Sequence, residues 1–186
     1  AAGSGDLAAA KAAVAAGAAL EAVDDRGRTP LVRAAYGNHV ELAGYLVGLG
    51  ADVNHKDDTV QSPYLIATAE VGDDPRLLDL FLTHGARVND LDSWNGTGLI
   101  RAADRGYPQV VTRLIAAGID LDHINRLGWT ALLEAVILGG GDAAHREVVQ
   151  LLLRAGADPT IADRDGVTPA EHARSRGYTE IAALFR

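Results

Sequence analysis

The chain has 186 residues, of which 48% are hydrophobic and 5% aromatic, and it contains neither cysteine nor methionine. Without cysteine there is no disulfide, no thiolate nucleophile and no zinc–cysteine centre. A net charge of −8 argues against nucleic acid, which needs clustered Lys and Arg, and no apolar run approaches the ~18 residues of a membrane span.

In chain order, "GDLAAAKAAVAAGAAL" (5–20) reads as an alanine-rich helix stopped near Gly17. "GRTPLVRAA" (27–35) follows, with Thr29 as an N-cap whose hydroxyl accepts a first-turn N–H and Pro30 at the first helical position. Leu31, Ala34 and Ala35 then fall at i, i+3 and i+4 on one helical face. "HVELAGYLVGLG" (39–50) is a second helix ending at a glycine suited to the left-handed cap. The pattern returns in "VQSPYLIAT" (60–68), "NGTGLIRAA" (95–103), "GWTALLEAV" (128–136) and "GVTPAEHAR" (166–174). Second helices return in "PQVVTRLIAAG" (108–118) and "HREVVQLLLRAG" (145–156), and the chain closes on "EIAALFR" (180–186).

The hydroxyl residues Thr29, Ser62, Thr97, Thr130 and Thr168 are spaced by 33, 35, 33 and 38 residues, and so are Gly17, Gly50, Gly85, Gly118 and Gly156. Each glycine precedes the next cap by 12 residues, so all length variation lies between the paired helices, at "EVGDDP" (70–75) and "GGGDAA" (139–144). "VGDD" (71–74) and "GGGDAA" are therefore expected to tolerate shortening. The Asp/Asn-rich stretches after each glycine read as extended turns leading to the next cap.

This unit, with its T-P-L helix, leucine-rich second helix and "GADVN" turn, resembles the ankyrin repeat. The resemblance implies an all-α solenoid of helix-turn-helix repeats joined by β-turn fingers, with four full repeats between two partial capping units. The expected units are approximately 1–24, 25–57, 58–92, 93–125, 126–163 and 164–186, in a single domain. The family's histidine after T-P-L is replaced by Val32, Leu65, Ile100, Leu133 and Glu171, so the hydrogen bonds it makes between repeats must be absent or rebuilt. His39 and His145 match the family's G-H position and are expected to be local caps.

Catalytic constellations are missing. None of the four serines lies in a G-x-S-x-G elbow, and "GGGDAA" lacks the Lys-Ser/Thr of a phosphate loop. "DLDSWNGTGLIR" fails as a calcium loop because its twelfth position is Arg101, and "DLDH" (120–123) reads as turn structure before metal site. No cofactor is implied. Glu134 occupies the x of T-P-L-H-x-A-A, where other repeats have Arg33, Ile66, Arg101 and His172, and reads as a variable surface position facing the groove.

The resemblance implies non-catalytic binding of a protein partner through the fingers and the concave face of the first helices. The residues expected there are Arg28, Trp94 and Trp129 in the fingers, with Arg33, Tyr36, Ile66, Glu70, Arg101, Asp104, Arg105 and Glu134 along the groove. An alternative is an acidic inhibitor or immunity-type protein neutralising a basic partner, motivated by Asp24–Asp25, Asp57–Asp58, Asp90/Asp92 and Asp120/Asp122; an enzyme on a repeat scaffold is more remote. A monomer is expected. The 15 arginines against 2 lysines suggest a bacterial gene. The "AAGSGD" start fits a removed leader as well as a trimmed chain, so the compartment stays open between the cytoplasm, slightly preferred, and export.

Overall fold

A computed structural model describes residues 2–186. Two compact units follow one another along the chain, one up to Arg87 and the other from Val88. Helices α1 (Leu7–Ala15), α2 (Pro30–Tyr36), α3 (Val40–Gly48), α4 (Pro63–Ala69) and α5 (Arg76–Thr83) belong to the first. The second contains α6 (Gly98–Arg105), α7 (Pro108–Ala116), α8 (Ala131–Ile137), α9 (Ala143–Ala155), α10 (Pro169–Ser175) and α11 (Thr179–Ala182). No strand forms among the described residues; one isolated antiparallel bridge joins Leu91 and Thr97.

Local chemistry sets the helix starts. The hydroxyls of Thr29, Ser62, Thr97, Thr130 and Thr168 each accept the N–H three residues on, and Pro30, Pro63 and Pro169 fill first helical positions. Glu171, standing where the family has histidine, closes a capping box by accepting from the Thr168 N–H. Val32, Leu65, Ile100 and Leu133, at the same place in other repeats, are buried apolar residues, so packing replaces the histidine's hydrogen bonds there.

Within the first unit α2 packs on α4 and α3 on α5; within the second, α6 packs on α8, α8 on α10, and α7 on α9. Within each unit the first helices thus form one layer and the second helices the other. The buried Leu31, Leu42, Leu65 and Phe81 fill the space between layers in the first unit, and Leu99, Leu114, Leu132 and Leu152 do so in the second. Burial of such side chains is worth about 1.5–3 kcal/mol each and supplies the stability that these short helices lack alone.

The two variable segments do fall between paired helices, but the second is not a spare loop. Residues 143 and 144 belong to α9, which has 13 residues where α3 and α7 have 9. Asp142 caps α9 by accepting the His145 N–H at 2.9 Å, and the Tyr178 hydroxyl donates to the Gly139 carbonyl at 3.2 Å. The expected tolerance of this segment to shortening is therefore revised.

The histidine expectation also changes. His145 is not itself a cap; its Nδ1 lies 3.0 Å from Asp142 Oδ2 and its Nε2 3.0 Å from the Asp104 carbonyl, tying the fourth repeat to α6. His39 does stand at the N-cap of α3, without a side-chain capping bond.

Candidate functional site

Each finger is organised by one Asx residue five positions before the cap: Asp24, Asp57, Asp92, Asn125 and Asp163. One side-chain oxygen accepts two backbone N–H groups, two and four residues on. These donors are Arg26 and Arg28, Thr59 and Gln61, Trp94 and Gly96, Leu127 and Trp129, and Asp165 and Val167. The residue three positions on adopts positive φ, as glycine at 27, 128 and 166, as Asn95, and as Val60 at φ 64°.

In four of the five fingers the other end of the Asx group bonds the helix residue nine positions on. Asp24 Oδ2 accepts from Arg33 at 3.2 Å, Asp92 Oδ2 accepts from Arg101 at 3.0 Å, and Asp163 Oδ2 lies 2.7 Å from His172 Nε2. Where the finger has the amide Asn125, the helix has an acid, and Asn125 Nδ2 donates to Glu134 Oε1 at 2.6 Å. Only Ile66 has no polar group to offer, and the Tyr36 hydroxyl reaches Asp57 Oδ2 instead, at 3.2 Å. The identity of the helix residue follows the hydrogen-bonding sense of its finger.

This pairing corrects two groove expectations. Glu134 is 4% exposed, so it is a buried carboxyl and not a variable surface position. Burial pushes its pKa from 4.5 up to about 7; the Asn125 hydrogen bond opposes the rise, and the charges of Asp104 and Asp92 add to it. Ile66 is wholly buried within α4, all of whose residues are buried, and offers a partner no surface. Its apolar side chain gains more from the core than from water.

The remaining candidates are accessible to different degrees. Arg33, Tyr36, Glu70, Trp94 and Arg105 are exposed, whereas Arg28, Arg101, Asp104 and Trp129 are half-buried. Arg28 and Arg33 both hold Asp24, and the Arg28 guanidinium keeps that carboxyl well below the usual carboxylate range. The backbone N–H and carbonyl of Trp129 are both committed to Asn125, which fixes this tryptophan inside its turn.

In the second unit the structure brings Trp94, Arg101, Asp104 and Glu134 around one cleft of about 250 Å³, with Asp92, Gly96, Ile100, Asn125, Leu127 and Leu138 completing its walls. Trp129 is not among the lining residues. Trp94, Leu127 and Leu138 are 62%, 41% and 52% exposed. Leu127 and Leu138 escaped the sequence reading, although a leucine in the "NRLGWT" finger and another just after α8 were visible as apolar residues outside the helical repeat pattern. Adjacent fingers are joined by the Arg126 N–H to the Trp94 carbonyl at 2.9 Å and by His123 Nε2, 2.7 Å from the Asn95 carbonyl. His123 thus serves the finger stack, and no metal-binding cluster occurs among the described residues. No described helix is long and apolar enough to cross a membrane.

The family profile "Ankyrin repeats (3 copies)" matches residues 65–163 and 99–185, and the profile "Ankyrin repeat" matches residues 26–58. The chain is similar to the putative ankyrin repeat protein YahD of Escherichia coli (strain K12), with 36% identity over 97% of this chain and 90% of that protein. A crystal structure of an ankyrin repeat domain from Acinetobacter baumannii AYE aligns at a TM-score of 0.92 and 44% identity, covering 98% of this chain and 92% of that one. A second solved ankyrin repeat protein aligns at a TM-score of 0.91 and 34% identity, covering 99% and 93%. With its finger turns, capped helix pairs and these relatives in agreement, the chain belongs to the ankyrin repeat family.

Proposed function

We propose that this protein binds a partner protein, without catalysis, through the finger-and-groove face of its second unit, centred on the Trp94–Leu127–Leu138 cleft. Ankyrin repeats generally mediate protein–protein interaction, and their fold is typically a non-catalytic scaffold. The observation that carries the reading is three large apolar side chains left in water around one depression. Exposed apolar area costs about 25 cal/mol per Å², and clustered exposure of this kind marks interaction surfaces. Arg33, Tyr36 and Glu70 of the first unit, and Arg105 of the second, are accessible for further contacts.

A buried carboxyl with its pKa near neutrality also suits a general acid. Here the finger pairing explains Glu134 by itself, since the same position carries the Asx partner in three other repeats. The acidic-inhibitor alternative loses much of its motive for the same reason, because Asp24, Asp57 and Asp92 are used inside their own fingers.

Photo-crosslinking tests the reading. A benzophenone amino acid is placed at Trp94 or at exposed Thr112 on the second-helix layer, and the protein is irradiated in an extract of the source cells. A discrete protein adduct should form from position 94, not from 112, and should vanish in the Leu127→Ser/Leu138→Ser variant. Equal labelling from both positions would remove the cleft from the function.

A further inference from the structure

We infer that the cleft of the second unit receives a basic side chain, arginine or lysine, projecting from the partner protein, with its stem against Trp94, Leu127 and Leu138 and its charged head at Asp104 and Glu134. This rests on the protein-binding reading and adds the chemistry of the contact.

Size narrows the occupant. A cleft of about 250 Å³ lies below the ~300–1,000 Å³ range of pockets that enclose whole small ligands, and suits one inserted side chain.

Charge narrows it further. Three carboxyl groups, Asp92, Asp104 and Glu134, line the cleft with a single guanidinium, that of Arg101. Arg101 is held by Asp92 at 3.0 Å, and both side chains are largely buried, so this pair forms a fixed wall. The Arg105 Nε stands 3.9 Å from Asp104 Oδ2, at the outer limit of an ion pair, on a half-exposed side chain. The hydrogen bond to Glu134 comes from a neutral amide, that of Asn125. Two acids thus line the cleft with little cationic compensation, together with three exposed apolar side chains.

A long basic side chain matches both layers. Lys and Arg lay their methylene stems on apolar surface while directing the head to a polar site. The face of an indole attracts a cation, and a guanidinium forks onto carboxylate oxygens. An apolar side chain would cover the exposed leucines and Trp94 equally well but would take water from Asp104 and Glu134 without bringing a compensating charge.

The experiment follows the Trp94 indole N–H and the Leu127 and Leu138 amides by NMR in the full chain. Two peptides are titrated, acetyl-Ala-Leu-Arg-Leu-Ala-amide and its citrulline counterpart, which keeps the shape of arginine without the charge. Saturable shifts at the cleft are expected with the arginine peptide, at an affinity at least about fivefold above citrulline. Glu134→Gln keeps an acceptor for Asn125, and with Asp104→Asn should bring the two peptides together. Trp94→Ala should weaken both.

Equal affinity of the two peptides for the parent protein overturns the inference while leaving protein binding at the cleft intact. Failure of both peptides to shift the cleft also overturns it, and the crosslink from position 94 then decides the broader reading separately. An arginine preference undiminished in the double variant would overturn the assignment to Glu134 and Asp104. Amide spectra away from the cleft confirm that the variants are folded.

Discussion

Asn125 donates its side-chain amide to Glu134 at 2.6 Å, in the place where the preceding repeat sets Asp92 against Arg101 at 3.0 Å. The two pairs have the same nine-residue separation and opposite hydrogen-bonding sense. A change that reverses the hydrogen-bonding sense of one partner alone should therefore cost stability. Asn125→Asp would set two carboxyl groups against each other in a buried site and should cost about 2 kcal/mol or more at pH 8. Adding Glu134→Arg recreates the Asp92–Arg101 arrangement, so the double variant should recover at least ~1 kcal/mol relative to additive behaviour. Guanidinium chloride unfolding of the two single variants and the double variant measures the coupling; strict additivity would separate the two side chains energetically.

The pH dependence of stability follows from the raised pKa of Glu134. Between its ordinary 4.5 and about 7, the unfolded chain has released a proton that the folded protein still holds. The contribution is complete below 4.5, falls as pH rises towards 7 and is level above it; its full size is on the order of 3 kcal/mol. Glu134→Gln should flatten the descending segment and gain on the parent above pH 7. Denaturation series from pH 4 to 8 decide it, and parallel profiles for the two proteins would mean that Glu134 ionises normally.

Val60 stands where the fingers at 27, 128 and 166 have glycine, and its φ of 64° forces a β-branched side chain into the left-handed region. Val60→Gly should stabilise the protein by about 1 kcal/mol, as relief of the strain exceeds the added entropy of the unfolded chain. A lowered melting temperature would show that Val60 packs more favourably than its backbone suggests.

Caps, first-turn prolines and left-handed glycines were legible in the sequence because each depends on a few adjacent residues, and the repeat spacing multiplied the signal. Thr130 and Gly118 adopt the roles their spacing predicts. The burial of Glu134 was not, because it depends on Asn125 across a turn and on how α8 meets α6 and the fingers. A signal existed in the nine-residue partnership of Asp24 with Arg33 and Asp92 with Arg101, but Ile66 breaks the series and conceals it. The cleft was still less visible, since Trp94, Leu127 and Leu138 come from two fingers and a helix end that only packing brings together.

Packing also changes what should follow from restoring the 33-residue spacing. Deleting residues 140–144 would remove the Asp142 cap of α9 and displace His145, which reaches the Asp104 carbonyl at 3.0 Å. Loss of one cap and one part-buried hydrogen bond, each about 1 kcal/mol, predicts about 2 kcal/mol of destabilisation. A deletion variant as stable as the parent in urea would return these residues to the status of a spare loop.

The two tryptophans should behave oppositely. Trp94 is 62% exposed and only its backbone is used by the fold, through its N–H to Asp92 and its carbonyl to Arg126. Trp94→Ala should therefore leave stability within ~0.5 kcal/mol, as surface substitutions do. It should weaken the crosslinked partner by about 2 kcal/mol or more, because an exposed aromatic ring that a partner would desolvate has the character of a hot spot. Trp129 is half-buried and lies outside the cleft lining. Its replacement by alanine removes packed apolar area and should cost about 1–2 kcal/mol of stability, with little direct effect on the partner. Thermal unfolding and calorimetric binding of the two variants distinguish them. If Trp129→Ala abolished binding while remaining as stable as the parent, the interaction would centre on that finger and not on the Trp94 cleft.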